Sequence, residues 1–234
     1  MVCTKCHKPY AFLPSTIPDS LVCLRCGFRD VYRQPEYKAY LGNKYGHLYS
    51  RTRQTDPQMN YILKKMDIKP SDVVVDIGCG VGDYTSEVHS LTVHSLGLDL
   101  DVKSAQKKYP QTHFIQHDLN LHFPLNDDSA DALISINVIE HLINHEYFLS
   151  ECRRVLKPGG RIAIATANLD FMLHNYFFDS THLHEWTLAQ FSELVGKYFH
   201  INESKKSSSM FNYYPYNKIT TKFLKPDLLI IGKK

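Results

Sequence analysis

No apolar run in the 234 residues reaches the roughly 18 needed to span a bilayer. The N-terminus also lacks the hydrophobic segment of a secretory signal. Both absences argue against a membrane-spanning or exported chain, so the expectation is a soluble, cytoplasmic protein with no membrane partner. A strongly basic balance is missing as well. The 27 Lys and Arg face 24 Asp and Glu, a formal charge of +3, which falls short of a dedicated nucleic-acid binder. Core material is not lacking: at 43% hydrophobic residues the chain can bury a full α/β core beside a small appendage.

The most informative stretch is residues 73–85, where the β-branched run Val73-Val74-Val75 and Asp76-Ile77 lead into Gly78, Cys79, Gly80 and Gly82. Such a strand suits the interior of a parallel sheet, and the glycines let the backbone turn tightly and approach a ligand closely. The helix expected from about Asp83 would aim its free N–H groups at that ligand. Further apolar segments end in acidic or amide residues: 93–98 in Asp99, 113–117 in Asp118, and 130–136 in Asn137. After a helical stretch comes a fifth, Arg161-Ile162-Ala163-Ile164-Ala165, behind Pro158-Gly159-Gly160. The spacing from Gly80 to Asp99 is about that at which an acidic residue meets a ribose diol in doubly wound folds. A dinucleotide-binding fold is the structural rival, but its fingerprint would place the third glycine one residue after Gly82.

The ordered set, together with Glu140-His141-Leu142 after the fourth strand, resembles the class I S-adenosylmethionine-dependent methyltransferases, in the small-molecule branch. The resemblance covers roughly residues 57–234 and implies an α/β fold with a doubly wound, seven-stranded, mostly parallel sheet. It also implies a cofactor, S-adenosylmethionine, and an enzyme that transfers its methyl group. Asp76 would hold the cofactor ammonium directly or through water. Gly78, Cys79, Gly80 and Gly82 would form the loop beneath it, and Asn137 would contact the methionyl part through its backbone. Asp99, with Leu100 beside it, has two acceptor oxygens for a ribose diol. Asp118 would accept from the adenine amino group, with the Leu119 N–H offered to the ring. A lone aspartate at a strand end is more often a helix cap, and Asp83 and Asp101 are read so.

The six cysteines are used unevenly. Cys3-x-x-Cys6 and Cys23-x-x-Cys26-Gly27 form a four-cysteine set with the spacing of a closed tetrahedral zinc site. Two disulfides or a rubredoxin-like iron would use the same residues, the first disfavoured in a cytosolic chain. A segment this small builds little core, so the metal would supply its folding energy. The ribbon resembles zinc modules found on some bacterial methyltransferases and, more loosely, Trm112-like activators, which implies a structural or substrate-gripping role. Cys79 and Cys152 read as small packing residues. The expected organisation is a ribbon over 1–30, a connector over 31–56 carrying Tyr32, Tyr37, Tyr40, Tyr45 and Tyr49, and the methyltransferase domain over 57–234. Met59, Ile62, Leu63 and Met66 recur at helical spacing and read as core.

The acceptor is less legible. A base is needed only if the acceptor is protonated at neutral pH. His182 and His184, in Thr181-His182-Leu183-His184-Glu185-Trp186-Thr187, and His141 are the candidates. The plain alternative has the first two packing under Trp186 and capping the next helix. The block resembles an element of bacterial methyltransferases associated with glycan genes, implying a small-molecule or glycan acceptor. Glu140-His141 is also similar to a pair in quinone-biosynthesis O-methyltransferases. Those carry a glutamate where Asn137 stands, which speaks against a divalent-metal site of their kind. Residues 1–57 hold nine Lys/Arg against four Asp/Glu, and 205–234 seven against one, with Phe211, Tyr213, Tyr214 and Tyr216. These ends make RNA the alternative acceptor, by phosphate contact and base stacking. No catalytic tetrad of the N6-adenine or N4-cytosine enzymes follows the fourth strand. A cofactor-binding adaptor without turnover is the third reading, and the oligomeric state is left open.

Overall fold

Successive residues of the central strands point to opposite sides of the sheet, and both sides are apolar. In strand β3 (Val74–Ile77) every residue is buried. Val75 and Ile77 pack with Leu133, Ile162, Ile164, Leu228 and Ile230 on one face. Val74 packs with Ala132, Ile134, Ala163, Leu229 and Ile231 on the other. A sheet buried on both faces needs helices on both, which is the doubly wound arrangement.

The computed structural model describes residues 57–171, 182–207 and 227–234, together with the backbone of two short strands, β1 (Leu21–Val22) and β2 (Arg29–Asp30). β1 and β2 pair antiparallel. The four expected zinc ligands, the tyrosine-rich connector and the aromatic stretch around Tyr213 lie outside the described residues.

The remaining strands, β4 (Ser95–Asp99), β5 (His113–Gln116), β6 (Ala130–Ile136), β7 (Leu156–Ala167), β8 (His200–Ser207) and β9 (Asp227–Lys233), join β3 in one seven-stranded sheet of order β5-β4-β3-β6-β7-β9-β8. The first five are parallel. β9 runs antiparallel between β7 and β8. From β3 the chain moves outward to β4 and β5, then returns to β6 on the other side of β3. That reversal opens a crevice at the carboxyl ends of β3 and β6, where doubly wound sheets bind ligands.

Helices α1 (Pro57–Met66) and α2 (Asp83–His89) cover one face through Met59, Ile62, Met66, Tyr84 and Val88. Pro57 opens α1 at the position where its missing N–H costs nothing. α3 (Lys103–Lys108) buries only Ala105. On the opposite face lie α4 (His145–Val155), through Phe148, Leu149, Cys152 and Val155, and α5 (Leu188–Gly196), through Phe191, Leu194 and Val195. Each such fully buried side chain contributes about 1.5–3 kcal/mol relative to exposure.

Neither expected cap is the cap residue of its helix. Val102 holds the cap position of α3 with no side-chain cap bond, and Asp101, one residue earlier, accepts the Lys103 N–H at 3.0 Å. Asp83 is not a side-chain cap. Gly82 occupies the cap position of α2, and the Asp83 carboxylate is turned aside to take the Tyr109 hydroxyl at 2.7 Å and the Lys108 ammonium at 2.5 Å.

Candidate functional site

The glycine loop leaves β3 with Gly78, Gly80 and Gly82 at φ of 79°, 55° and 84°. The Gly78 and Cys79 N–H groups donate to the Leu98 carbonyl at 2.7 and 3.0 Å, stitching the loop to the end of β4. A Cβ on Gly78 would run into the side chain of Val138, just past β6. A Cβ on Gly80 would meet nothing within 4 Å. One glycine therefore lets the loop close against β6, while the other faces open space.

The acidic residues gather around that space. Asp99 Oδ2 accepts the Gly80 N–H at 2.8 Å and Oδ1 accepts the Asp101 N–H at 3.2 Å. Burial raises its carboxyl above the usual range, against the pull of those N–H groups. Leu100 follows, half-buried. Asp76 is buried, and its Oδ2 accepts the Thr85 hydroxyl at 2.6 Å. Burial pushes its carboxyl up to about 7. The Cys79 thiol is raised by burial too, so it stays protonated and acts as packing. Asp118 Oδ1 takes both the backbone and side-chain N–H of Asn120, at 3.1 and 2.9 Å. Leu119 beside it is buried.

At the end of β6, Asn137 adopts φ 56°, a left-handed conformation uncommon outside glycine. Its N–H donates to Ala165 O at 2.9 Å, and its Oδ1 is buried with no hydrogen-bond partner among the described residues. Strained backbone and an orphaned acceptor at one residue are features that cluster at ligand sites.

The next turn, Ile139–His141, carries Glu140, which is 0% exposed. Its Oε2 accepts the Thr166 hydroxyl at 2.9 Å, and burial pushes the carboxyl up to about 7. Its backbone carbonyl accepts the Leu183 and His184 N–H groups at 2.8 and 3.1 Å. Residues 182–186 are thus strapped onto the end of β6. The far end of the strap is fixed by a bridge between Asn168 and Trp186 and by a capping box of Thr187 and Gln190 at the start of α5.

The three candidate histidines separate on this strap. His184, His145 and Trp186 form a triangle of rings, with centroids 4.4 Å apart for His184–His145, 5.6 Å and stacked for His184–Trp186, and 5.4 Å for His145–Trp186. His182 meets His141 edge-on, centroids 4.9 Å apart. His182 Nδ1 lies 3.3 Å from Glu185 Oε1, both side chains buried. His141 is the most exposed of the three. Thr85, Thr166 and Glu185, which hold the functional groups, were not singled out in the sequence. Glu185 was readable in principle, three residues after His182 in the same block.

A seven-stranded sheet with one antiparallel insertion, a glycine loop after its first strand and acidic residues closing the next two define the class I methyltransferase fold. Residues 75–164 match the family model described as "Methyltransferase domain". Among curated relatives, 98 residues are 37% identical to a Mycolicibacterium smegmatis protein named "Probable S-adenosylmethionine-dependent methyltransferase", covering 41% of this chain and 38% of that one. Another 114 are 38% identical to the mouse (Mus musculus) "Probable tRNA methyltransferase 9B", covering 46% and 24%. The match thus spans under half the length of either relative. In fold, the chain is similar to one from the complex between the Trm112 methyltransferase activator of Haloferax volcanii and a methyltransferase. That likeness has a TM-score of 0.66 at 20% identity and covers 87% of this chain and 99% of the other.

Proposed function

We propose that this protein transfers the methyl group of S-adenosylmethionine to a small-molecule or glycan-type acceptor inserted beneath the strap of residues 182–186. The observation that carries the reading is the pairing of Gly80, open on one side, with Asp99 at 2.8 Å. A loop that leaves room for a ligand sits against a carboxylate able to take a diol. The orphaned Asn137 Oδ1 supplies a further acceptor on the other side of the crevice. The residues present therefore fit the cofactor.

When bound, the cofactor supplies an already activated methyl on sulfur. The chain's own residues do the rest. Asp99 orients the ribose, Asp118 and the Leu119 N–H face the adenine, and Asp76, held by Thr85, offers a carboxylate to the ammonium group. Positioning and exclusion of water then contribute most of the acceleration. His182, oriented by Glu185, and His141 face each other on the acceptor side and are the groups able to take a proton. His184, packed with His145 and Trp186 in one ring cluster, positions Trp186.

Cys3, Cys6, Cys23 and Cys26 form a structural zinc site in this reading, supported by the antiparallel β1–β2 pair that brackets Cys23 and Cys26 in sequence. The tRNA-methyltransferase relative and the basic chain ends favour RNA as the second reading of the acceptor.

Calorimetry with S-adenosylhomocysteine, followed by transfer assays on hydroxyl, amine and RNA acceptors, tests the proposal. Cofactor binding with turnover on a small acceptor is expected, and turnover excludes a silent adaptor. Turnover confined to RNA, with strongly salt-dependent binding, selects the second reading. His182→Gln and His141→Gln should lower turnover roughly 10²–10⁴-fold if either is the base.

A further inference from the structure

We propose that Glu140, His141 and His182 form a binding site for one divalent first-row transition ion beside the acceptor. One ligand atom from each of the three lies within 4.8 Å of the others. They come from two segments, the turn after β6 and the strap, that the fold brings together through the Leu183 and His184 N–H bonds to the Glu140 carbonyl.

An independent observation points to a ligand there. Glu140 is 0% exposed, its Oε2 is taken by Thr166, and its Oε1 has no hydrogen-bond partner among the described residues. A buried carboxylate oxygen left without a partner is costly, and a cation is one of the few groups that relieves it. Asp227, buried nearby, adds negative potential at Glu140. The third observation is the Glu185 carboxylate 3.3 Å from His182 Nδ1. A carboxylate on one ring nitrogen turns the other toward a metal and raises its basicity, as is usual behind ligating histidines.

Two imidazoles and one carboxylate suit zinc, manganese or iron rather than magnesium or calcium, which prefer all-oxygen shells. Three protein ligands also leave coordination positions for an acceptor oxygen. With an ion present, His141 and His182 serve as ligands rather than as proton acceptors. Metal binding itself is independent of the methyl-transfer reading and is measured without cofactor or acceptor.

The test uses the full chain, given one equivalent of zinc for its four-cysteine set and freed of excess, then titrated with Mn²⁺ and followed by electron paramagnetic resonance. One Mn²⁺ per chain with histidine nitrogen couplings is expected. His182→Gln and Glu140→Gln should each weaken binding at least tenfold, and Glu185→Gln by about 10–100-fold. Should Glu140→Gln fail to fold, His141→Gln, on the more exposed ligand, gives the same readout. Absence of bound Mn²⁺, or binding unchanged in His141→Gln and His182→Gln, overturns the site.

Discussion

The Gly80 N–H donates to Asp99 Oδ2 at 2.8 Å, joining the turn after β3 to the end of β4. The bond fixes one carboxylate oxygen, and the Asp101 N–H at 3.2 Å holds the other, so the group is set in place beside the glycine loop. Asp99→Ala should weaken S-adenosylmethionine binding by about 1.5–3 kcal/mol, the scale of a lost charge-assisted hydrogen bond. Calorimetry showing unaltered affinity would remove Asp99 from the site.

The two neighbouring glycines should respond differently to alanine. Both have positive φ, so each substitution costs about 1–2 kcal/mol of folding stability. Gly78→Ala adds a collision with Val138, and Val138→Ala in the same chain should recover part of the loss. Gly80→Ala adds no collision, yet its methyl enters the ligand space. Denaturation should show it the milder change, while cofactor affinity falls at least tenfold. Normal binding by Gly80→Ala would mean that the open side holds no ligand.

Burial pushes the Asp76 carboxyl up to about 7, above its unfolded value of about 3.9. The folded state therefore binds the extra proton between those values. The group's contribution to stability is fully present below about pH 4 and is lost as pH rises through 7. Asp76→Asn should flatten that part of the pH–stability curve. A cationic ammonium placed beside Asp76 favours its ionised form, so cofactor binding near pH 7 should release a fraction of a proton. Equal calorimetric heats in phosphate and Tris buffers would count against that contact.

At least one zinc per chain should be found by elemental analysis. Cys23→Ser should unfold the first 30 or so residues locally and leave cofactor binding largely intact, because metal binding couples to local folding. Finding no metal, with the thiols oxidised in pairs, would refute the ribbon.

β3 and β6 were legible because buried parallel strands need apolar residues on both faces, which Val74, Val75 and Ile77 supply in one and Ala132, Leu133 and Ile134 in the other. β8 was not anticipated individually. His200-Ile201-Asn202-Glu203-Ser204-Lys205-Lys206-Ser207 is nearly all polar, with exposure alternating along its length, and it is a strand because β9 offers it an edge. At the site, the acidic strand ends were readable from their order. The union of Glu140 with His182 was not, because 41 residues of chain lie between them and the backbone bonds of the strap to the Glu140 carbonyl bring them together. Asp83 misled because a first-turn aspartate looks like a cap whether or not a lysine and a tyrosine lie within its reach.

The antiparallel insertion sets an order of assembly. β8 pairs only with β9 in the sheet, yet it precedes β9 in the chain, so during synthesis it must wait unpaired. Glu203, Lys205 and Lys206 make that waiting edge a poor template for aggregation. β3 to β7 meanwhile contain every group proposed to hold the cofactor and can zip through shorter loops. The register that sets Asp227 opposite Ala167 and Leu228 opposite Thr166 then braces β7 under the acceptor side only once β9 has threaded in. Non-local pairings of this kind form late, so the half of the crevice proposed to hold the cofactor matures before the half proposed to face the acceptor.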